Sequence, residues 1–456
     1  MQKHSHLIDL VSKYVVAAIL IVVPLYPKFP FIRIPNTFVA VRLEDFLLFF
    51  AGIVLVVSIF PRLLSFSKDP LVKLVALFLG VGFISFISGS LVTKSVVPNI
   101  AFLHWLRRIE YFIPLFLGID SMRKNTKNLE FYLKILFLVI IVLFFYGFGQ
   151  KNFGWPIIIT QNQEYSKGIA LSYVPGSHIN STFAGHYDLA SFLVLALPVV
   201  ISCLFLLKGV RTKIFLGMVF FSGLWLLVNT ASRVSIFSYL IAGTISLLLI
   251  KKYKAVLVFL FVSIVFVGFS SNLVSRYSRL IDVIRNKSES GNLNNLGIFT
   301  VYAQDIDLPL KVKSVTPTPT SEPPFEDRST NIRLNVEWPR ALRAFAKNPI
   351  LGTGYSSITL ATDNDYLRAL GEVGILGFLA FFLNLGKTSD ILLRSFSSNK
   401  SFRGVELGFL TGTIGSLSGL FINAVFIDIF ESSKFALLFW LMIGMAMSLV
   451  TYAKNE

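Results

Sequence analysis

From "DFLLFFAGIVLVVSIF" near its beginning to "ALLFWLMIGMAMSLV" near its end, the chain returns repeatedly to long apolar runs with almost no charge. Runs of about 18 residues or more mark helices that cross a bilayer, because about 20 residues at 1.5 Å rise span the hydrocarbon core. The spans are expected at about 8–26, 38–60, 71–92, 99–119, 130–149, 184–207, 214–231, 233–250, 255–271, 366–386, 405–426 and 433–452. Composition agrees: of 456 residues, 54% are hydrophobic and only 15% charged, which no ordinary soluble protein of this length shows. The fold class that follows is all-α, a polytopic membrane helix bundle of about twelve transmembrane helices.

The connections alternate in charge. One set holds Arg62 and Lys68, then Arg123, Lys124 and Lys127, then Lys208, Arg211 and Lys213, then Lys251, Lys252 and Lys254, then Lys387, Arg394, Lys400 and Arg403. The positive-inside rule makes this set, and both termini, cytoplasmic. No small-residue cleavage site follows the first apolar stretch, so that stretch reads as a retained anchor. Cys203, the single cysteine, lies within the sixth span, which excludes an internal disulfide and a cysteine-based metal site. The net charge of +17 sits mostly in the cytoplasmic loops and calls for no nucleic acid.

The chain divides into an N-terminal membrane bundle (1–271), a long external loop (272–364) and a C-terminal membrane segment (365–456). Within the loop, residues 314–329 are rich in Pro, Thr and Ser and read as an extended insert. After the insert, Pro339 suits the first turn of a helix that Asn348-Pro349 ends. Arg340, Arg343 and Lys347 give that helix one basic face, which would lie on membrane lipids. Arg328 and Arg333 extend it into a guanidinium cluster suited to bidentate contact with phosphate.

Other polar groups punctuate the spans. Near the start of the fourth, "HWLRRIEYF" places Arg107 and Glu110 three apart, where they could pair or meet a substrate. "NTASRVS" sets Arg233 between the seventh and eighth spans, facing either headgroups or a cavity. Asp428, Glu431 and Lys434 follow one another at spacings of three before the last span and read as a surface charge network. No phosphate-binding loop, dinucleotide fingerprint, H-E-x-x-H or G-x-S-x-G occurs, so nucleotide hydrolysis is not expected to drive the chemistry.

Three blocks carry a resemblance: "STFAGHYDLASFLVLALP", "TASRVS", and "RLNVEWPRALRAFAKNPILGTGYSSITLATDNDYLRALGEVGILGFLAF". The last combines an N-P-[IL]-x-G-x-G turn with Asn364, followed by Gly374 and Gly377 in a G-x-x-G. In these blocks and their order the chain resembles the O-antigen ligase and O-antigen polymerase superfamily of bacterial envelope glycosyltransferases. The resemblance implies transfer of a glycan from a polyprenyl-diphosphate carrier to a hydroxyl of a glycan, lipid or protein acceptor. It implies the outer face of the bacterial cytoplasmic membrane and no nucleotide sugar; no cofactor and no metal are expected. It also implies diphosphate-binding arginines, here Arg233 and Arg333 with Arg328 and Arg340 beside them, and Asn364 as a substrate contact.

The family's histidine position is Asp363 in this chain. An aspartate of ordinary pKa near 3.9 is ionised at neutral pH, and it can accept the hydrogen bond or the proton of an acceptor hydroxyl. His186, in "AGHYD", is the other candidate base. The bland alternative for Asp363 and Asn364 is helix capping. A metal on Asp363 and Asp365 is weakly suggested. A transporter or flippase of lipid-linked glycans is the competing function, and it should show broken helices and two related halves. A scaffold with a lipid-docked loop is the third reading.

Overall fold

The computed structural model describes residues 2–33, 40–158, 170–268, 332–358, 361–398 and 402–452. The Pro/Thr-rich insert at 314–329, with Arg328, lies outside the described residues. The architecture is all-α. Its elements are α1 (Gln2–Leu25), α2 (Leu43–Ile59), the short α3 (Leu63–Ser67), α4 (Pro70–Leu91), α5 (Pro98–Lys124), α6 (Asn128–Asn152) and α7 (His186–Leu206). They continue with α8 (Val210–Asn229), α9 (Arg233–Leu249), α10 (Tyr253–Gly268), α11 (Trp338–Lys347), α12 (Asp365–Ser398), α13 (Gly404–Asn423) and α14 (Ser433–Tyr452). Two small antiparallel pairs, β1 (Pro30–Arg33) with β2 (Ala40–Arg42) and β3 (Ile157–Ile158) with β4 (Ala170–Leu171), sit in connections.

Helices occupy each stretch expected to cross the membrane. Among the described residues nine are long and apolar enough to do so, while α9 and α10 are shorter apolar helices. Helix α5 has the length, with His104, Arg107, Arg108 and Glu110 in its first half. The centre of the bundle is α7, α13 and α14, whose residues are largely buried. Helix α14 packs chiefly on α5, and α13 on α7 and α9. Glycine permits the closest of these approaches: a Cβ on Gly444 would run into the carbonyl oxygen of Leu115. Helices that share a lipid solvent gain by such tight van der Waals contact, since the hydrophobic effect does not distinguish helix from lipid.

Polar side chains gather at the two ends of the bundle. At one end, Lys124 reaches Asp9 (3.0 Å) and Asp120 (2.8 Å), and Arg62 pairs with the same Asp120. At the other, Lys434 donates to the carbonyls of Thr182 (2.8 Å) and Pro24 (3.2 Å) and is fully buried. The surface network expected for Asp428, Glu431 and Lys434 is therefore an interior one. The reason is that the segment is a turn folded inward between α13 and α14, with a 3₁₀ turn at Ile429–Glu431. Arg107 and Glu110 do approach each other (3.8 Å), and Arg107 also meets Asp45 of α2 at 3.3 Å.

Helix α12 is longer than expected and is broken. Gly374 has φ 64° and ψ −172°, a conformation open essentially to glycine alone. The turn "NPILGTG" fills the break: Ile375 and Leu376 donate to the carbonyls of Pro349 and Ile350 (2.9 and 3.2 Å). In return Thr353 and Gly354 donate to the carbonyls of Gly371 and Glu372 (3.0 and 2.9 Å). Glycines in a membrane helix commonly let neighbouring helices approach closely. Gly371 does lie against the backbone of Ala341 in α11, but Gly374 serves as the joint at which the helix admits a loop.

Candidate active site

The polar residues that open α12 point three ways. Asn364 caps the helix, its Oδ1 accepting from Leu367 N at 2.9 Å. Asp365 turns inward, its carboxylate accepting from the backbone N–H groups of Ile429 (2.8 Å) and Phe430 (3.3 Å). Asp363 stands outside the helix and meets Arg333, whose Nε and Nη2 both donate to Oδ2, at 2.9 and 2.7 Å. The two aspartates are thus committed to different partners, which leaves the weakly suggested metal pair without a shared centre.

Asp363 is held in place by its neighbours' backbone. Its φ is +50°, in the left-handed region. The carboxylate of Asp428 accepts from Thr362 N (2.8 Å) and Asn364 N (2.9 Å), gripping the chain on both sides of it. Asp428 is itself fixed by Arg368 Nη1 at 2.9 Å. Arg368 also approaches Glu372 (3.5 Å) and Glu431 (3.6 Å), and Arg108 pairs with Glu431. Below the mouth, Arg108, Tyr355, Asp365, Arg368, Glu372 and Glu431 line a cavity of about 50 Å³. Asp363 and Arg333 are not among its walls; it reads as the buried foundation of the site, with room for a water or two.

Arg333 arrives on an unusual turn. Residues Arg333–Glu337 form a π-helical turn leading into α11, with Trp338 N donating to the Arg333 carbonyl. The wide turn precedes Pro339, whose ring would press on the carbonyl of residue 335 in a regular α-helix. Arg333 is buried, and its Nη2 also donates to the hydroxyl of Tyr187 at 3.4 Å. The helix expected at Pro339 is present and ends at Asn348 as its sequence requires. Its basic face is divided, however: Arg343 is exposed, Lys347 donates to Ser95 Oγ (2.9 Å), and Arg340 is half-buried.

His186, the first residue of α7, stacks on His178 (centroids 4.2 Å apart) and touches the tilted ring of Tyr187 (4.0 Å). It therefore joins the site through Tyr187. Arg233 opens α9 and is half-buried, behind the N-cap Ser232. Its first turn is tied to the same end of the bundle: Ser235 Oγ donates to Asn423 Oδ1 (3.0 Å), and Asn423 Nδ2 to Ser191 Oγ of α7 (2.9 Å).

Electrostatics follow from this crowding. Burial raises the pKa of Asp363 above its ordinary value; Arg333 opposes the rise and Asp428 adds to it. Glu337, on the π-helical turn, is pushed up to about 7 by burial and then by Asp363, with Arg333 acting against them. Tyr187, Glu337, Arg368 and Asp428 are the participants that sequence reasoning did not assign to the site. Only Tyr187 had a local signal, standing beside His186 in "AGHYD".

The fold and this site define a class: a polytopic helical membrane protein with a buried cation–carboxylate centre at one mouth of its bundle, beneath a loop helix. Within that class, residues 216–382 match the family model described as O-antigen ligase. The matched region runs from α8 into the second half of α12 and includes Arg233, the π-helical turn, the turn at 348–354 and Asp363. The match bears out the resemblance to the O-antigen ligase and polymerase superfamily and supports a glycosyltransferase of the O-antigen ligase kind. No curated protein matches the chain.

Proposed function

We propose that this protein transfers a glycan from a polyprenyl-diphosphate carrier to an acceptor hydroxyl at the outer face of the bacterial cytoplasmic membrane. The observation that carries the proposal is the Arg333–Asp363 pair, a buried guanidinium and a candidate base joined at 2.7 Å. Arg333, with Arg233, Arg340 and Arg328, stabilises the diphosphate as it leaves; cations fixed in advance need no reorganisation during reaction. The acceptor oxygen attacks the anomeric carbon in line, the bond from that carbon to the phosphate oxygen breaks, and the diphosphate departs with the electron pair. Asp363 aligns the hydroxyl or takes its proton, and Asn364 holds the turn that presents it. His186, in ring contact with Tyr187, is the second candidate base. In-line attack inverts the anomeric configuration. Positive-inside charge puts the end bearing Lys208, Lys252 and Lys254 in the cytoplasm and the site outside.

The broken α12 is the one feature that also suits a transporter. Its freed carbonyls, however, are taken up by the loop at 348–354 rather than turned to a cavity, so the break acts as a structural joint. The test is polyprenyl diphosphate release by purified protein given a lipid-linked glycan and acceptor. Arg333→Ala and Asp363→Ala are each expected to lose about 10²- to 10⁴-fold in rate. Full release by both variants would refute the assignment, and transbilayer movement without release would favour the transporter.

A further inference from the structure

We propose that Glu337 takes the acceptor's proton, while Asp363, pinned by Arg333, orients the hydroxyl; this rests on the glycosyl-transfer reading above. Oδ2 of Asp363 already accepts two hydrogen bonds from one guanidinium. Those charge-assisted hydrogen bonds occupy the oxygen and favour its anionic form, opposing the rise in basicity that burial causes. Glu337 lies four residues on, at the end of the same π-helical turn, and its Oε2 is buried with no hydrogen-bond partner among the described residues. A buried acceptor left unsatisfied carries a free-energy cost, and substrate binding is one way to relieve it. One α-helical step further, Nη1 of Arg340 is likewise buried without a hydrogen-bond partner. A base and a cation, both with unused capacity, thus stand beside the Arg333–Asp363 pair.

The groups that face Glu337 come from three places. Arg333 and Arg340 lie on its own helix, Asp363 on the turn before α12, and Asp428 on the segment before α14. Burial and the two aspartates raise its pKa, the two arginines lower it, and the balance is about 7. A general base works best when its pKa lies near the operating pH. The step balances: the acceptor O–H proton passes to Glu337 as the new C–O bond forms, and the old C–O electron pair leaves with the diphosphate. Glu337 then returns the proton to solvent.

The experiment measures polyprenyl diphosphate release from a lipid-linked glycan between pH 5 and 9, in wild type, Glu337→Gln, Glu337→Asp and Asp363→Asn. Wild type should lose activity through an acid limb near pH 7, where the carboxylate becomes protonated. Glu337→Gln should fall about 100-fold or more in kcat, keep its KM for donor, and show no such limb. Glu337→Asp should recover part of the rate and keep an acid limb, while Asp363→Asn should be slow but retain the limb near 7. Activity of Glu337→Gln within threefold of wild type, or a limb that vanishes in Asp363→Asn instead, overturns the proposal and leaves glycosyl transfer standing. Absence of release by wild type overturns both.

Discussion

At the scale of single residues, Asp363 is the informative position, because its backbone and its side chain are held by different partners. A non-glycine residue in the left-handed region costs roughly 1 to 2 kcal/mol, least for Asp and Asn. Here Asp428 sustains that conformation by binding the N–H groups on either side. Asp363→Asn should therefore keep the thermal stability of wild type within about 1 kcal/mol, whereas Asp363→Val, β-branched in a left-handed site, should lose about 2 kcal/mol or more. Melting of the two variants in detergent checks the difference; equal loss in both would mean that the side-chain ion pair, not the backbone, sets the cost. Asp428→Ala is expected to cost about 1 to 3 kcal/mol for its buried hydrogen bonds and to lower transfer activity as well, since it frees the turn that presents Asp363. Wild-type turnover in an Asp428→Ala protein of lowered melting temperature would separate the two roles and refute the second.

At the scale of elements, the decisive one is α12, where the "NPILGTG" turn and the helix break are made for each other. A Cβ on Gly374 would stand 2.5 Å from Gly352 N, and it would also require a backbone conformation closed to alanine. Gly374→Ala should cost about 3 kcal/mol or more and abolish monodisperse expression. Gly386, in the same helix, has nothing within 4 Å of a new Cβ, so Gly386→Ala should be neutral or stabilise by up to about 1 kcal/mol. Size-exclusion profiles and melts of the pair decide it; a well-folded Gly374→Ala would mean the break can close into continuous helix. The two halves of this joint were visible in the sequence as separate motifs, and their union was not. Apolar run length locates helices well because burial of the backbone in lipid is a local demand. The pairing of Gly352 with Gly374, or of Asp428 with the turn at 362–364 more than 60 residues away, depends on which helices become neighbours. For the same reason Arg368 looked like an ordinary helix residue, and Glu337 could not be singled out before the fold put it on the π-helical turn that carries Arg333. Asp363 and Arg333 were legible because both stand at abrupt local changes, a polar cap on an apolar helix and a basic turn after a proline-rich stretch.

For the whole molecule, orientation in the membrane decides which donors the site can meet. The described cations at one end, Lys208, Arg211, Lys213, Lys251, Lys252 and Lys254, sit in short connections between apolar helices or in the first turn of the helix that follows, where insertion follows the positive-inside rule. Helices α7 and α9, which begin with His186 and Arg233, run directly into those connections. The long connection before α12 does not weigh in this balance, because long loops cross the membrane regardless of their charge. The chain supplies a convenient background for a test, since its single cysteine, Cys203, is buried. Ala361 and Lys254 are both exposed, one beside Asp363 and the other in the first turn of α10. Ala361→Cys in intact cells should react with a membrane-impermeant maleimide, and Lys254→Cys should react only after the membrane is opened. The reverse pattern would put the Arg333–Asp363 centre in the cytoplasm, among nucleotide sugars, and would remove the reason for a lipid diphosphate donor.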